Sequence, residues 1–192
     1  MTKKRIAIFA SGSGSNAEKI AQYFENHSSI EISLIFTNNP QAGVITRARK
    51  LHIPVVVFDK HTFYKTDKIL QLLKNQGIDL VVLAGFMMLV PTILVAAFPN
   101  RIINIHPALL PKFGGKGMYG HFVHEAVVAS GERESGITIH FVNEHYDEGA
   151  IIFQASCAVA SIDTPDEVAA KVQKLEHLHF PSVVEEVVEK LD

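Results

Sequence analysis

Five near-continuous apolar runs constrain this chain more than any other feature: "RIAIFA" (5–10), "IEISLIFT" (30–37), "IPVVVFD" (53–59), "IDLVVLAGF" (78–86) and "RIINI" (101–105). They have strand length and are rich in Ile, Val, Leu and Phe. Runs of this kind suit parallel strands covered on both faces. Between them lie "NAEKIAQYFENH", "AGVITRARKLH", "HTFYKTDKILQLLKNQG" and "PTILVAAFPN", each long enough for one crossover helix. The alternation predicts an α/β fold, an open, mostly parallel Rossmann-like sheet with flanking helices. A further helix is expected near "HFVHEAVVASG". "SGITIHFVNE" and "AIIFQASCAVA" then predict an antiparallel C-terminal strand pair. The segment "TPDEVAAKVQKLEHLHFPSVVEEVVEKL" predicts a long C-terminal helix, which Pro181 should kink or break.

Composition narrows the function classes. A length of 192 residues with 47% hydrophobic residues is enough for one domain with a substantial core. The net charge is −2, and Lys and Arg are scattered, so no nucleic-acid partner is expected. Cys157 is the only cysteine, which excludes an intrachain disulfide and a cysteine zinc cluster. The apolar part of "MTKKRIAIFASGSG" is too short to span a membrane and ends in Gly and Ser. A soluble, cytoplasmic protein is expected.

Ligands of open α/β sheets bind beyond the C-terminal ends of the strands. Three polar or glycine-rich segments fall there: "SGSGSN" after the first run, "AGFMMLVP" after the fourth and "NIHP" after the fifth. The first leads into a helix, whose free amides suit an anion. Gly12-x-Gly14-x-x-Ala17 loosely fits a dinucleotide fingerprint, but the second run ends "IFTNNP", without the acid that would hold a ribose. No Lys-Ser/Thr follows as in a Walker loop, so a monophosphate is the better reading. Taken alone, the loop is also compatible with a plain turn and a polar cap.

Asn104 and His106 fall on one side of the fifth run because side chains alternate in a strand. Asp147 lies in a turn of "HFVNEHYDEGAII". Such an acid is usually a turn former. If it meets His106, it would orient the imidazole and raise its pKa. No serine elbow or other convincing nucleophile is present. The chemistry is then one in which a substrate supplies the nucleophile while the protein stabilises an oxyanion and moves protons. Ten histidines invite a metal reading, with His121 and His124 three apart, but no His-Glu-x-x-His motif supports it, and no metal is expected.

"SGSGSN", "LAGFM", "NIHPALLPKF", "GITIHFVNEHYDEGAIIFQ" and "VQKLEH", in this order, resemble the folate-dependent formyltransferases, and specifically the phosphoribosylglycinamide formyltransferases. The resemblance covers essentially the whole chain. It implies one domain over 1–192, with a phosphate-binding half (1–100) and a catalytic and folate-binding half (101–192). It further implies transfer of the formyl group of 10-formyltetrahydrofolate to the amine of 5'-phosphoribosylglycinamide in purine biosynthesis. Small molecules would be the partners, and the protein would be a monomer or homodimer. Asn104 and His106 would stabilise the oxyanion, and Asp147 would keep His106 protonated. Gly14, Ser15, Asn16, Gln173 and Glu176 would hold the ribonucleotide. Lys60, Met87, Met88, Leu89, Val90, Asn104, Asn143, Glu144, His145, Tyr146 and Asp147 would frame the folate.

Two departures stand out. Met88 occupies a place where well-known members carry an arginine, and Lys60 is the nearest counterpart of a folate-contacting arginine. The loop "KFGGKGMYGH" is also longer than in the commonest members and is expected to act as a lid. Three other functions compete. Formyltetrahydrofolate deformylases share the site but usually carry a regulatory domain, and methionyl-tRNA formyltransferases carry an RNA-binding domain. A non-catalytic nucleotide-binding module would not need Asn104, His106 and Asp147 to converge.

Overall fold

A computed structural model describes residues 3–191. Its strands are β1 (Lys4–Phe9), β2 (Ile30–Thr37), β3 (Val55–Val57), β4 (Leu80–Leu83), β5 (Ile102–His106), β6 (Glu134–Phe141) and β7 (Ile151–Ala158). Its helices are α1 (Ser15–Phe24), α2 (Gly43–Lys50), α3 (Lys60–Lys65), α4 (Lys68–Asn75), α5 (Thr92–Ala97), α6 (His121–Ala129) and α7 (Pro165–Glu189). One seven-stranded sheet runs in the order β3-β2-β1-β4-β5-β6-β7. The first five strands are parallel; β6 pairs antiparallel with both β5 and β7. The expected fold class is the observed one.

Period-two alternation assigns the two faces. Ile6, Ile8, Leu80, Val82, Ile103 and Ile105 face the side packed by α1 and α7. Ala7, Phe9, Val81, Leu83 and Ile102 face the side packed by α4 and α5. There Phe9 and Phe36 stack with ring centroids 4.5 Å apart, and Phe58, Phe63 and Phe86 close around them. Fully burying a side chain of this size contributes about 1.5–3 kcal/mol. The order reverses direction between β1 and β4, and the crevice at that reversal lies beyond the strand C-termini.

Two expectations are corrected. "HTFYKTDKILQLLKNQG" forms two helices, α3 and α4, rather than one. Its apolar positions continue in helical register, but the chain turns extended at Thr66 (φ −135°) and re-enters a helix at Lys68. The Thr66 hydroxyl accepts from the Lys68 amide and donates to the Thr62 carbonyl, so it serves both ends of the break. Asp59 caps α3 by accepting from the Thr62 amide at 2.6 Å.

The second correction concerns Pro181, which does not break α7: the helix runs from Pro165 to Glu189. A proline lacks the N–H that would bond the carbonyl four residues earlier. Buried Phe180, Val183, Val184, Val187 and Val188 hold the segment on the sheet across that gap. A capping box between Thr164 and Glu167 starts the helix.

Candidate active site

Asn104 and His106 project from β5 on the face shared with Ile102. The β5/β6 register sets Asn104 opposite His140 and His106 opposite Thr138. Thr138 is fully buried and pins the turn that leaves His106. Its hydroxyl donates to the Ala108 carbonyl (2.7 Å) and accepts from the Leu110 amide (3.0 Å). Gln154 on β7 adds a bond to the same hydroxyl (2.8 Å) and to the Leu110 carbonyl (3.1 Å). The histidine therefore stands on a rigid base.

Asp147 does reach this cluster. Its Oδ2 lies 3.5 Å from His106 Nδ1 and accepts the Gly115 amide at 3.0 Å. Its Oδ1 lies 3.4 Å from Asn104 Nδ2 and 3.6 Å from His140 Nε2. His140 donates from Nδ1 to the Phe141 carbonyl (2.9 Å), which leaves Nε2 to accept from Asn104 Nδ2 (3.1 Å). His106 Nε2 donates to the Phe113 carbonyl at 2.8 Å. Asp147 has left-handed backbone (φ 56°), a conformation that Asp and Asn tolerate better than most residues. Gly149 leaves no room for a side chain: a Cβ there would run into the Phe141 carbonyl.

The electrostatics differ from the expectation at one point. Burial lowers the His106 pKa, and the Asp147 carboxylate and the Phe113 carbonyl raise it only in part, so the net shift is downward. Asp147 does exert the expected upward pull, but His106 is only 3% exposed and desolvation of the imidazolium outweighs it. Burial pushes the Asp147 pKa up, yet the neighbouring His140 and His106 rings and the Gly115 amide together leave it below the usual carboxylate value. The free protein thus pairs an ionised Asp147 with a His106 biased towards neutrality.

The glycine loop forms the opposite wall. Gly14 is the N-cap of α1 with φ 77°, and a Cβ on it would lie 2.5 Å from Val44. Arg47 braces the loop through its Nε, which donates to the Ser13 carbonyl (2.9 Å), and through an ion pair to Glu18. The Ser11 amide donates to the Gly85 carbonyl (3.0 Å), and the Ser11 hydroxyl accepts from the Met87 amide (3.1 Å). These bonds tie the loops after β1 and β4 together. Gln173 and Glu176 share one face of α7 and reach this wall. Gln173 Nε2 donates to the Ser15 hydroxyl (3.3 Å), and Asn16 Nδ2 donates to Glu176 Oε2 (2.9 Å). The Asn16 side chain is therefore a tie between α1 and α7, and the free groups of the loop are the first amides of α1. Burial raises the Glu176 pKa against the lowering effect of the Asn16 bond.

A cavity of about 610 Å³ joins these walls. Of the expected residues it brings together Asn104, His106, Asp147, Gly14, Ser15, Asn16, Gln173 and Glu176. Met87, Met88, Leu89, Val90, His145 and Tyr146 form its apolar end. Lys60, Asn143 and Glu144 are not among its lining residues. Lys60 is exposed at the start of α3, and Asn143 accepts the His145 amide at 2.9 Å. Residues 115–120 form a lip over the cavity, with positive φ at Gly115, Gly117 and Gly120. Among the described residues no group of three or more His, Cys, Asp or Glu could hold a metal ion.

Sequence reasoning missed His140, His124 and the backbone groups of Phe113 and Gly115. The alternation of "SGITIHFVNE" places Thr138 and His140 on one face, but only the register with β5 brings that face to Asn104.

The family model described as formyl transferase matches residues 4–184. A phosphoribosylglycinamide formyltransferase of Arabidopsis thaliana, named as chloroplastic, is 45% identical over 98% of this chain. The chain spans 66% of that relative's length, just under two thirds. A phosphoribosylglycinamide formyltransferase of Bacillus subtilis is 35% identical, covering 96% of this chain and 95% of its own. The crystal structure of phosphoribosylglycinamide formyltransferase from Bacillus halodurans superposes with a TM-score of 0.87 at 38% identity, over 97% of this chain and 96% of that one. The family match over residues 4–184, with relatives 35% and 45% identical over nearly the whole chain, shows that the chain belongs to the formyl transferase family.

Proposed function

We propose that the protein is a phosphoribosylglycinamide formyltransferase, which moves the formyl group of 10-formyltetrahydrofolate onto the glycine amine of 5'-phosphoribosylglycinamide in purine biosynthesis. The observation that carries this reading is the convergence of Asn104, His106 and Asp147 between an anion-binding loop and an apolar slot in one cavity. The slot at Met87 to Val90, with Val142 and Tyr146, suits a flat heteroaromatic ring. The amides at the start of α1 suit a phosphate. We place the reaction in the cytoplasm, on these small molecules alone; the scattered Lys and Arg and the net charge of −2 argue against a nucleic-acid partner.

10-Formyltetrahydrofolate supplies the formyl carbon, and its nitrogen departs with a proton as the new carbon–nitrogen bond forms to the amine. The protein's part is to hold the two reactants in line and to stabilise charge developing on the formyl oxygen. Asn104 Nδ2 and His106 Nε2 are the donors. In the free protein both are engaged, Asn104 by His140 and Asp147 and His106 by the Phe113 carbonyl. Each exchanges its internal acceptor for the formyl oxygen. For His106 this requires the start of the lip to withdraw. An anionic oxygen at Nε2 adds to the upward pull of Asp147 on the imidazole, so protonation of His106 and charge on the substrate develop together. The amine's proton passes by way of Asp147 and the ring to the departing folate nitrogen, so the transfer conserves protons.

The deciding experiment supplies purified protein with both substrates and follows formylated ribonucleotide and free tetrahydrofolate by mass spectrometry. Equal appearance of both products is expected. Hydrolysis of the folate without any need for the ribonucleotide would make the protein a deformylase instead. Binding of ribonucleotide without turnover would make it a non-catalytic module.

A further inference from the structure

His124 is a cavity-lining imidazole that the proposed mechanism does not use. It sits one turn into α6, is 6% exposed, and has its Nδ1 sealed without a hydrogen-bond partner among the described residues. Its neighbour on the helix, His121, is exposed and engaged by Glu125 (3.1 Å) and Asp166 (3.6 Å). His124 therefore does not belong to that surface cluster. It lines the cavity together with Ala169 and Gln173 of α7, and the His106 ring is close enough to lower its pKa.

The chemistry of the ring follows from its burial. A neutral imidazole carries one proton and one lone pair. A buried N–H with no acceptor is among the least favourable arrangements in a protein interior. The proton therefore belongs on Nε2, at the edge of the ring that the cavity can reach, and Nδ1 keeps its lone pair inside. Burial, and then the neighbouring His121 and His106 rings, hold the pKa below that of a free histidine, which keeps the ring neutral. The cavity wall thus offers one N–H that no acceptor among the described residues satisfies.

We infer that His124 is a substrate-binding residue whose Nε2–H donates to an oxygen of the ribonucleotide, in the span between the phosphate loop and His106. The inference rests on the ribonucleotide reading given above. An apolar filler would serve equally well if this wall only packed, whereas a donor is useful only where an acceptor arrives.

The test uses His124→Phe, which keeps a ring of similar shape and removes the donor, and His124→Gln, which restores an N–H at comparable reach. Affinity for phosphoribosylglycinamide is measured calorimetrically without folate, and steady-state rates give KM for each substrate. Loss of one neutral hydrogen bond predicts weakening of ribonucleotide binding by about 2- to 10-fold in His124→Phe. The KM for folate should stay unchanged, and His124→Gln should recover most of the loss. A His124→Phe protein that binds the ribonucleotide as the native protein does would overturn the inference while leaving the proposed function standing. Native protein that fails to bind the ribonucleotide would overturn both. Nitrogen NMR of the native histidines needs no substitution and covers the case in which a variant does not fold. The proton should sit on Nε2, and that resonance should move when the ribonucleotide is added; a proton on Nδ1, or no movement, would sink the idea.

Discussion

His106 stands between opposing effects, burial on one side and two oxygen acceptors on the other. Both of its nitrogens face oxygen acceptors, Asp147 at 3.5 Å and Phe113 at 2.8 Å, so a neutral ring can satisfy only one of them. Burial nevertheless wins in the free protein. Removing the carboxylate charge should tip the balance further. Asp147→Asn is expected to lower the His106 pKa beyond its present depression and to move the alkaline limb of the rate profile to lower pH. The left-handed backbone at Asp147 accepts Asn, so folding should survive. Ring titration by NMR in the two proteins decides the matter; an identical His106 pKa would reduce Asp147 to a turn residue. His106→Ala should leave a folded protein whose turnover falls by about 100- to 1,000-fold, the usual consequence of losing an oxyanion donor. Near-normal turnover in that variant would remove His106 from the chemistry. The pairing of Asn104 with His106 could be read from strand alternation alone. The joining of Asp147 to them could not, because it depends on how a turn 41 residues after His106 packs back.

Among the elements, the glycine loop is shaped as much by α2 as by its own residues. Gly14 combines positive φ with a Cβ position that Val44 already fills. Gly14→Ala should therefore destabilise the protein twice over, by about 1–2 kcal/mol for the left-handed backbone and about 1–3 kcal/mol for overpacking. Adding Val44→Ala should recover little of this loss, because Val44 Cβ (2.5 Å) and Cα (2.7 Å) stay in place; urea denaturation of the single and double variants checks it. A Gly14→Ala protein as stable as the native one would show that the loop does not lean on α2. The same element scale explains the two misread helices. The α3/α4 break rests on the Thr66 hydroxyl, a local competitor that apolar periodicity does not register. The continuity of α7 through Pro181 rests on valines buried beyond it, which local propensity does not count.

At the scale of the whole molecule, buried histidines set the acid side of the stability curve. His106, His124 and His177 all have pKa values below the ordinary histidine value, chiefly through burial. Unfolding restores the ordinary value of about 6.5, so the unfolded chain binds more protons as pH falls below it. Their contribution is fully present above that pH and is lost as pH drops through the folded values. Glu176 works in the opposite sense: its raised pKa means the folded state holds a proton that the unfolded chain has released. Three groups against one predict that the melting temperature falls between about pH 6.5 and pH 5. Glu176→Gln, which removes the opposing group, should steepen that fall. A flat melting profile across the window would show that these rings are solvated.

The sequence by itself determined the strand–helix alternation, the two-faced sheet and the three loops that meet at its crevice. Each of these follows from patterns within one segment, such as a period of two, a glycine before a helix or a polar pair at a strand end. Tertiary structure alone decided which loop residues reach one another. His140 meets Asn104 through the β5/β6 register, and Gln173 and Glu176 meet Ser15 and Asn16 because α7 packs beside α1. It also decided the charge bias of His106. The sequence showed the carboxylate that would raise the imidazole pKa, but desolvation depends on how completely the folded chain excludes water, and at 3% exposure burial prevails.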